Sequence, residues 1–91
     1  MESTYYYVTM RRDSRTAFLL GPCRQHETAL ALVETVRKAA EEVDPFTAFD
    51  AFGTASVIWN HKLPLLPDGK LNNRLGFDTG TDRIEEQPMA D

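Results

Sequence analysis

Tyr5-Tyr6-Tyr7-Val8-Thr9-Met10-Arg11, the run YYYVTMR at residues 5–11, decides the fold. It is rich in aromatic and β-branched residues, and the two-residue alternation of a strand puts Tyr6, Val8 and Met10 on one face and Tyr5, Tyr7 and Thr9 on the other. Arg12-Asp13-Ser14-Arg15 then supplies polar turn residues for a four-residue loop. Thr16-Ala17-Phe18-Leu19-Leu20 reads as a second strand, stopped by Gly21-Pro22 because proline has no N–H for a ladder. The first quarter of the chain is therefore a β-hairpin.

From about His26 the hydrophobic period changes from two to that of a helix. At the helical rotation per residue, Ala29, Leu32, Val33, Val36, Ala39, Ala40 and Val43 fall within an arc of roughly 120°. Glu27, Glu34, Arg37, Lys38, Glu41 and Glu42 lie mostly outside that arc, and Leu30 lies off the stripe. Gln25 is a poor N-cap, whereas Asp44-Pro45 disfavours helical geometry at Asp44 and ends the helix near Val43. The same pair reads as the N-cap and first residue of a second, short helix through Phe46, Phe49 and Phe52, closed by Gly53. Three phenylalanines in seven residues are expected to be buried. Thr54 to Trp59 is short and β-prone, suiting a third strand beside the hairpin.

Between Asn60 and Phe77, Pro64, Pro67, Asp68-Gly69 and Gly76 alternate with Leu63, Leu65, Leu66, Leu71 and Leu75, the pattern of an ordered loop pinned by leucines. Composition turns polar and acidic from Asp78. The expected organisation is one α+β domain over residues 1–77 and a disordered acidic tail over 78–91. Its elements run ββααβ: a three-stranded antiparallel sheet with the long helix across one face and the short helix closing an end. The other sheet face, carrying Tyr5 and Tyr7, is expected to be open.

At 91 residues, with 42% hydrophobic and 26% charged residues, the chain has the composition of a small globular domain. Its single cysteine, Cys23, offers no internal disulfide, and Cys/His spacing offers no zinc finger. No export signal and no apolar run long enough to span a membrane is legible, so a cytoplasmic location is expected, with no membrane partner. The net charge of −4 is uneven: residues 1–25 carry +2, whereas residues 26–45 and 46–91 carry −3 each. An acidic whole argues against a dedicated duplex-DNA binder, because phosphates are neutralised by Lys and Arg.

Catalytic signals are weak. Cys23 lies three residues before His26, near a helix start that could activate a thiol, but the strand-to-helix corner also simply suits a small residue. Cys23, His26 and His61 have no metal-ligand spacing, the glycines form no phosphate loop, and Glu41-Glu42 and Glu85-Glu86 read as solvated charge. No catalytic residue, cofactor or metal is expected. The hairpin is more informative: Arg11, Arg12 and Arg15 cluster at its turn beside Tyr5 and Tyr7, a set that suits a protein interface or the stacking of single-stranded nucleic acid. Trp59 reads as a core edge, or otherwise as an exposed anchor.

The stretches YVTMRRDSRTAFLLGP and HETALALVETVRKAAEEVDPFTAFDAFGTASV, with part of LPDGKLNNRLGF, resemble a group of short proteins encoded by phages and integrated mobile elements of proteobacteria. In size and charge the chain is also similar to anti-CRISPR proteins. The resemblance carries over no site residue. It implies a non-enzymatic interaction protein in a bacterial host cell, an anti-defence inhibitor of a host protein or nucleoprotein complex. Glu34, Glu41 and Glu42 would then present phosphate-like charge to a lysine-rich groove. The alternative is a nucleic-acid-binding or regulatory module using Arg11, Arg12, Arg15, Tyr5 and Tyr7. A homodimer through the open sheet face is a further expectation, and an enzyme using Cys23 is the third reading.

Overall fold

In the computed structural model, which describes residues 2–84, the tyrosine run is the centre of the sheet. Strand β1 (Ser3–Arg12) pairs antiparallel with β2 (Arg15–Cys23) on one side and β3 (Ala51–Trp59) on the other, giving the order β2-β1-β3. Helix α1 (His26–Val43) crosses one face, and a 3-10 helix (Pro45–Phe49) links it to β3. The chain is thus α+β with a three-stranded antiparallel sheet, as its periodicities predict.

The hairpin is tighter and longer than expected. Arg12 pairs directly with Arg15, so the loop is only Asp13-Ser14, and Asp13 takes the left-handed conformation at φ 55° that Asp tolerates better than most residues. Nor does Gly21-Pro22 end β2, which continues to Cys23. Pro22 lies in an edge strand, where a missing N–H costs no ladder bond. At Gly21, φ is 137° and a Cβ would stand 2.7 Å from the Tyr7 ring, so only glycine fits.

Helix α1 has the expected bounds. Gln25 contributes no side-chain cap, and the Asp44 N–H donates to the Ala40 carbonyl at 2.9 Å. Ala29, Val36, Ala39 and Ala40 are buried and Leu32 and Val33 flank them, packing on Val8, Leu20 and Cys23. Val43 is the exception: the stripe outruns the sheet and leaves it exposed. Strand β3 starts at Ala51, three residues earlier than expected, and takes in Phe52 and Gly53, which the sequence assigns to the end of a helix. It pairs with β1 over nine consecutive partners, Arg11–Ala51 through Ser3–Trp59.

The largest correction concerns the second sheet face. Tyr7 is not on an open surface but fully buried, stacked on Phe18 with ring centroids 4.7 Å apart, and its hydroxyl donates to the Pro67 carbonyl at 2.6 Å. The leucine- and proline-containing segment returns along the outer edge of β2. Gly69 N donates to Gly21 O at 3.0 Å, Lys70 N to Phe18 O at 3.0 Å and Leu71 N to Leu19 O at 2.7 Å. The buried Asn72 side chain completes the edge: its Nδ2 donates to Gly21 O at 2.6 Å and its Oδ1 accepts from Gly21 N at 3.0 Å. The amide thereby acts as one rung of a strand. Gly69 is required by proximity, since a Cβ there would lie 2.5 Å from the Leu20 backbone.

Beyond it, helix α2 (Asn72–Leu75) ends on Gly76 at φ 66°, a left-handed cap. Strands β4 (Phe77–Asp78) and β5 (Arg83–Ile84) then form a small ribbon in which Phe77 pairs with Ile84. Phe77 is buried and Ile84 packs on the core. Residues 78–84 are therefore part of the fold and not of a disordered tail, because a second apolar pair anchors them. Residues 85–91, the rest of that expected tail, lie outside the described residues.

Candidate interaction surface

The residues that could have built an active site are drawn apart or occupied. Cys23 is fully buried, and burial first, then the nearby Asp82 carboxylate, pushes its thiol up to about 12. It is the opposite of an activated nucleophile. His26 does not serve it: its Nε2 is 3.0 Å from Thr54 Oγ1, and its ring lies 5.1 Å from that of Tyr6. His61 is exposed in the turn after β3. Among the described residues no three His, Cys, Asp or Glu side chains group to hold a metal ion.

The Arg/Tyr hairpin surface is largely dismantled by its own fold. Tyr7 is buried, and Tyr5 is half-buried edge-on to Trp59, with centroids 6.4 Å apart. Trp59 is half-buried and donates from Nε1 to the Pro64 carbonyl at 2.8 Å, which fits the core-edge reading. These two rings, with Pro22, Arg24, Leu65 and Asp68, line an open groove of about 320 Å³. Arg11 and Arg15 stay exposed at the turn.

Arg12 has a different task. Its Nε lies 2.9 Å from Asp50 Oδ1 and its Nη2 2.7 Å from Oδ2, a bidentate pair, and Nη2 also stands 3.7 Å from Asp44. The Asp50 side chain is only 6% exposed. The guanidinium hydrogen bonds hold the Asp50 carboxyl below the usual range, and the carboxylate raises Arg12 in turn. Asp44 and Asp50 bracket the 3-10 helix, so one arginine at the end of β1 fixes both of its ends.

That helix carries the feature the sequence reading missed. Asp44 caps it by accepting from the Phe46 N–H at 3.0 Å, Pro45 takes its first position, and Thr47 turns inward to donate to the Asp44 carbonyl at 2.8 Å. At three residues per turn, positions three apart eclipse. Phe46 and Phe49 therefore share the outward side, 73% and 88% exposed, with Val43 58% exposed before them. The expectation that all three phenylalanines are buried fails for two, while Phe52 packs against the core from β3. The signal was present in the spacing: a five-residue 3-10 helix cannot bury side chains on both sides.

The acidic face of α1 is less free than its composition suggests. Arg37 lies 3.5 Å from Glu34 and 3.4 Å from Glu41, and Arg74 3.6 Å from Glu42. Such exposed pairs add little stability, yet they neutralise the charge. Residues 2–84 hold eleven acidic and ten basic residues, so three of the four net negative charges reside in Glu85, Glu86 and Asp91.

No helix among the described residues is long and apolar enough to cross a membrane. Comparison with protein-family models, with curated proteins and with solved structures finds no match. The ridge Val43-Phe46-Phe49 carries the exposed phenylalanine rings among the described residues, while Leu65, 87% exposed, stands at the rim of the groove beside Trp59.

Proposed function

We propose that the chain is a non-enzymatic interaction protein that binds a host protein or nucleoprotein complex through the Val43-Phe46-Phe49 ridge, acting as an anti-defence inhibitor of a phage or mobile element. The observation that carries this reading is the exposure of Phe46 and Phe49 on a helix braced at both ends by Arg12. Leaving two large apolar rings in water is unfavourable for a free domain, and aromatic anchors on a rigid support are what protein interfaces use. Arg11 and Arg15, exposed at the same turn end of the hairpin as Arg12, are the polar groups that a rim around such an interface would use.

A phosphate-mimicking role for Glu34, Glu41 and Glu42 has less support, since each has an arginine within 3.6 Å. The nucleic-acid alternative loses Tyr7 to the core and Arg12 to Asp50, keeping Tyr5, Arg11 and Arg15. Affinity capture from a proteobacterial host lysate, with the captured protein then purified and titrated, tests the reading. A partner bound by the wild type, weakened by about 2 kcal/mol or more in Phe46→Ala/Phe49→Ala and retained by Arg11→Ala/Arg15→Ala, is the expected result. The reverse pattern, with steep salt dependence and binding to labelled single strands, would replace it with the nucleic-acid module.

A further inference from the structure

The two edges of the sheet are treated differently. The outer edge of β2 is closed by Gly69, Lys70, Leu71 and the Asn72 side chain. Strand β3 is the other edge, and among the described residues no backbone group pairs with its outer side. Edge strands are normally guarded by a Lys, a Pro or a bulge. The sequence of β3, AFGTASVIW, has no charged residue and no proline, and its ladder with β1 runs without a register shift, whereas that of β2 has two. At nine residues it offers about 30 Å of edge without a charge, a proline or a bulge to guard it.

We infer that this edge takes a second copy of the same strand, pairing antiparallel about Ala55 to form a continuous six-stranded sheet in a homodimer. The occupant is argued from the strand's own side chains. In an antiparallel ladder centred on Ala55, residues whose numbers are symmetric about it face each other on the same side of the sheet. On the helix-bearing face Phe52 then meets Ile58 of the other copy, and Thr54 meets Ser56, each pair occurring twice. Aromatic with β-branched, and Thr with Ser, are the favoured cross-strand pairs. On the opposite face Gly53 meets Val57, Ala51 meets Trp59 and Ala55 meets Ala55, so a small residue faces each large one. No like charges oppose. Ile58, 61% exposed in the single chain, gains a partner.

A two-fold axis perpendicular to the sheet keeps both α1 helices on one side, and the pairing uses no residue of the Val43-Phe46-Phe49 ridge. The dimer is therefore independent of the binding role proposed above. A nine-residue ladder falls short of the ~800 Å² per partner of a standard stable interface, so the association belongs to the weak, concentration-dependent class.

The test uses the full chain. Sedimentation from low micromolar to several hundred micromolar should show the 10.3 kDa monomer converting reversibly to a species of twice that mass. Ser56→Lys, which places a charge at an exposed edge position, should raise the dissociation constant about tenfold while leaving the melting temperature of the dilute monomer unchanged. Register is read by oxidative crosslinking: Ala55→Cys, self-opposed across the axis, should form the disulfide dimer readily, and Ser56→Cys, facing Thr54, poorly. Native Cys23 is buried and stays out of the reaction. A chain that remains monomeric at every concentration, a dimer indifferent to Ser56→Lys, or equal crosslinking at 55 and 56 would overturn the inference.

Discussion

Replacing Asn72 with Ala removes both bonds by which its side chain closes the edge of β2, and the cost can be worked from their geometry. Gly21 O keeps one donor, the Gly69 N–H at 3.0 Å, so losing the Nδ2 bond costs only the net value of a hydrogen bond, about 0.5–1.5 kcal/mol. Gly21 N has Asn72 Oδ1 as its acceptor in a buried position, and leaving it unpaired costs about 1–3 kcal/mol more. Asn72→Ala should therefore destabilise the domain by about 2–4 kcal/mol, a large share of the ~5–14 kcal/mol expected for a chain of this length. Urea unfolding followed by circular dichroism reads the total, and amide exchange at Lys70 and Leu71, which donate to the edge of β2, should accelerate before that of β2 itself. Asn72→Asp sharpens the test. A carboxylate can still accept from Gly21 N but faces Gly21 O as a second acceptor, so burial raises its folded pKa above the unfolded value. The penalty is then full at neutral pH and falls as the pH drops and the group protonates. A loss under ~0.5 kcal/mol for Asn72→Ala, or a pH-independent Asn72→Asp, would refute the view that this amide is a structural rung.

Gly69→Ala should be more damaging than an ordinary loop substitution, because its Cβ would sit 2.5 Å from the Leu20 backbone; a melting temperature within 2 °C or so of wild type would contradict that packing. Cys23, with its thiol near 12, should react with thiol reagents at pH 8 only at the rate of unfolding, and rapid labelling of the folded protein would show the burial to be wrong. The Asp50 carboxyl titrates below its unfolded value of about 3.9, so its contribution is present above that pH and lost as the pH falls through the lower folded value. Melting temperature against pH should thus lose part of its acid limb in Asp50→Asn, and parallel curves for the two proteins would count against the Arg12 pairing.

The elements whose signals are local were legible. Alternation in YYYVTMR gives β1 the two-residue period of a strand, and the stripe from Ala29 to Ala40 gives α1 one wet and one dry side. Tyr7 was misread because β1 is a central strand covered on both faces, and the cover comes from residues some sixty positions later. Only the leucines and Gly69 hinted at it, and neither names its target. Phe46 and Phe49 were expected inside on hydrophobicity alone, which neglects the geometry of a five-residue 3-10 helix. Arg12 looked like a surface ligand because the sequence does not reveal that Asp44 and Asp50 come to lie beside it. Residues 78–84 looked disordered from composition, yet Phe77 and Ile84 suffice to pin them.

The closure of β2 by Gly69 and Asn72 also fixes when the fold can be completed as the chain is made. The hairpin and α1 can form early, since their contacts are local. Gly21 and Tyr7 must wait for partners 51 and 60 residues downstream. A nascent chain ending before Pro67 would hold Tyr7 uncovered and the edge of β2 bare. The open tyrosine face that the sequence suggests is thus a property of the unfinished chain, which the ribosome would release only after the covering segment has been added.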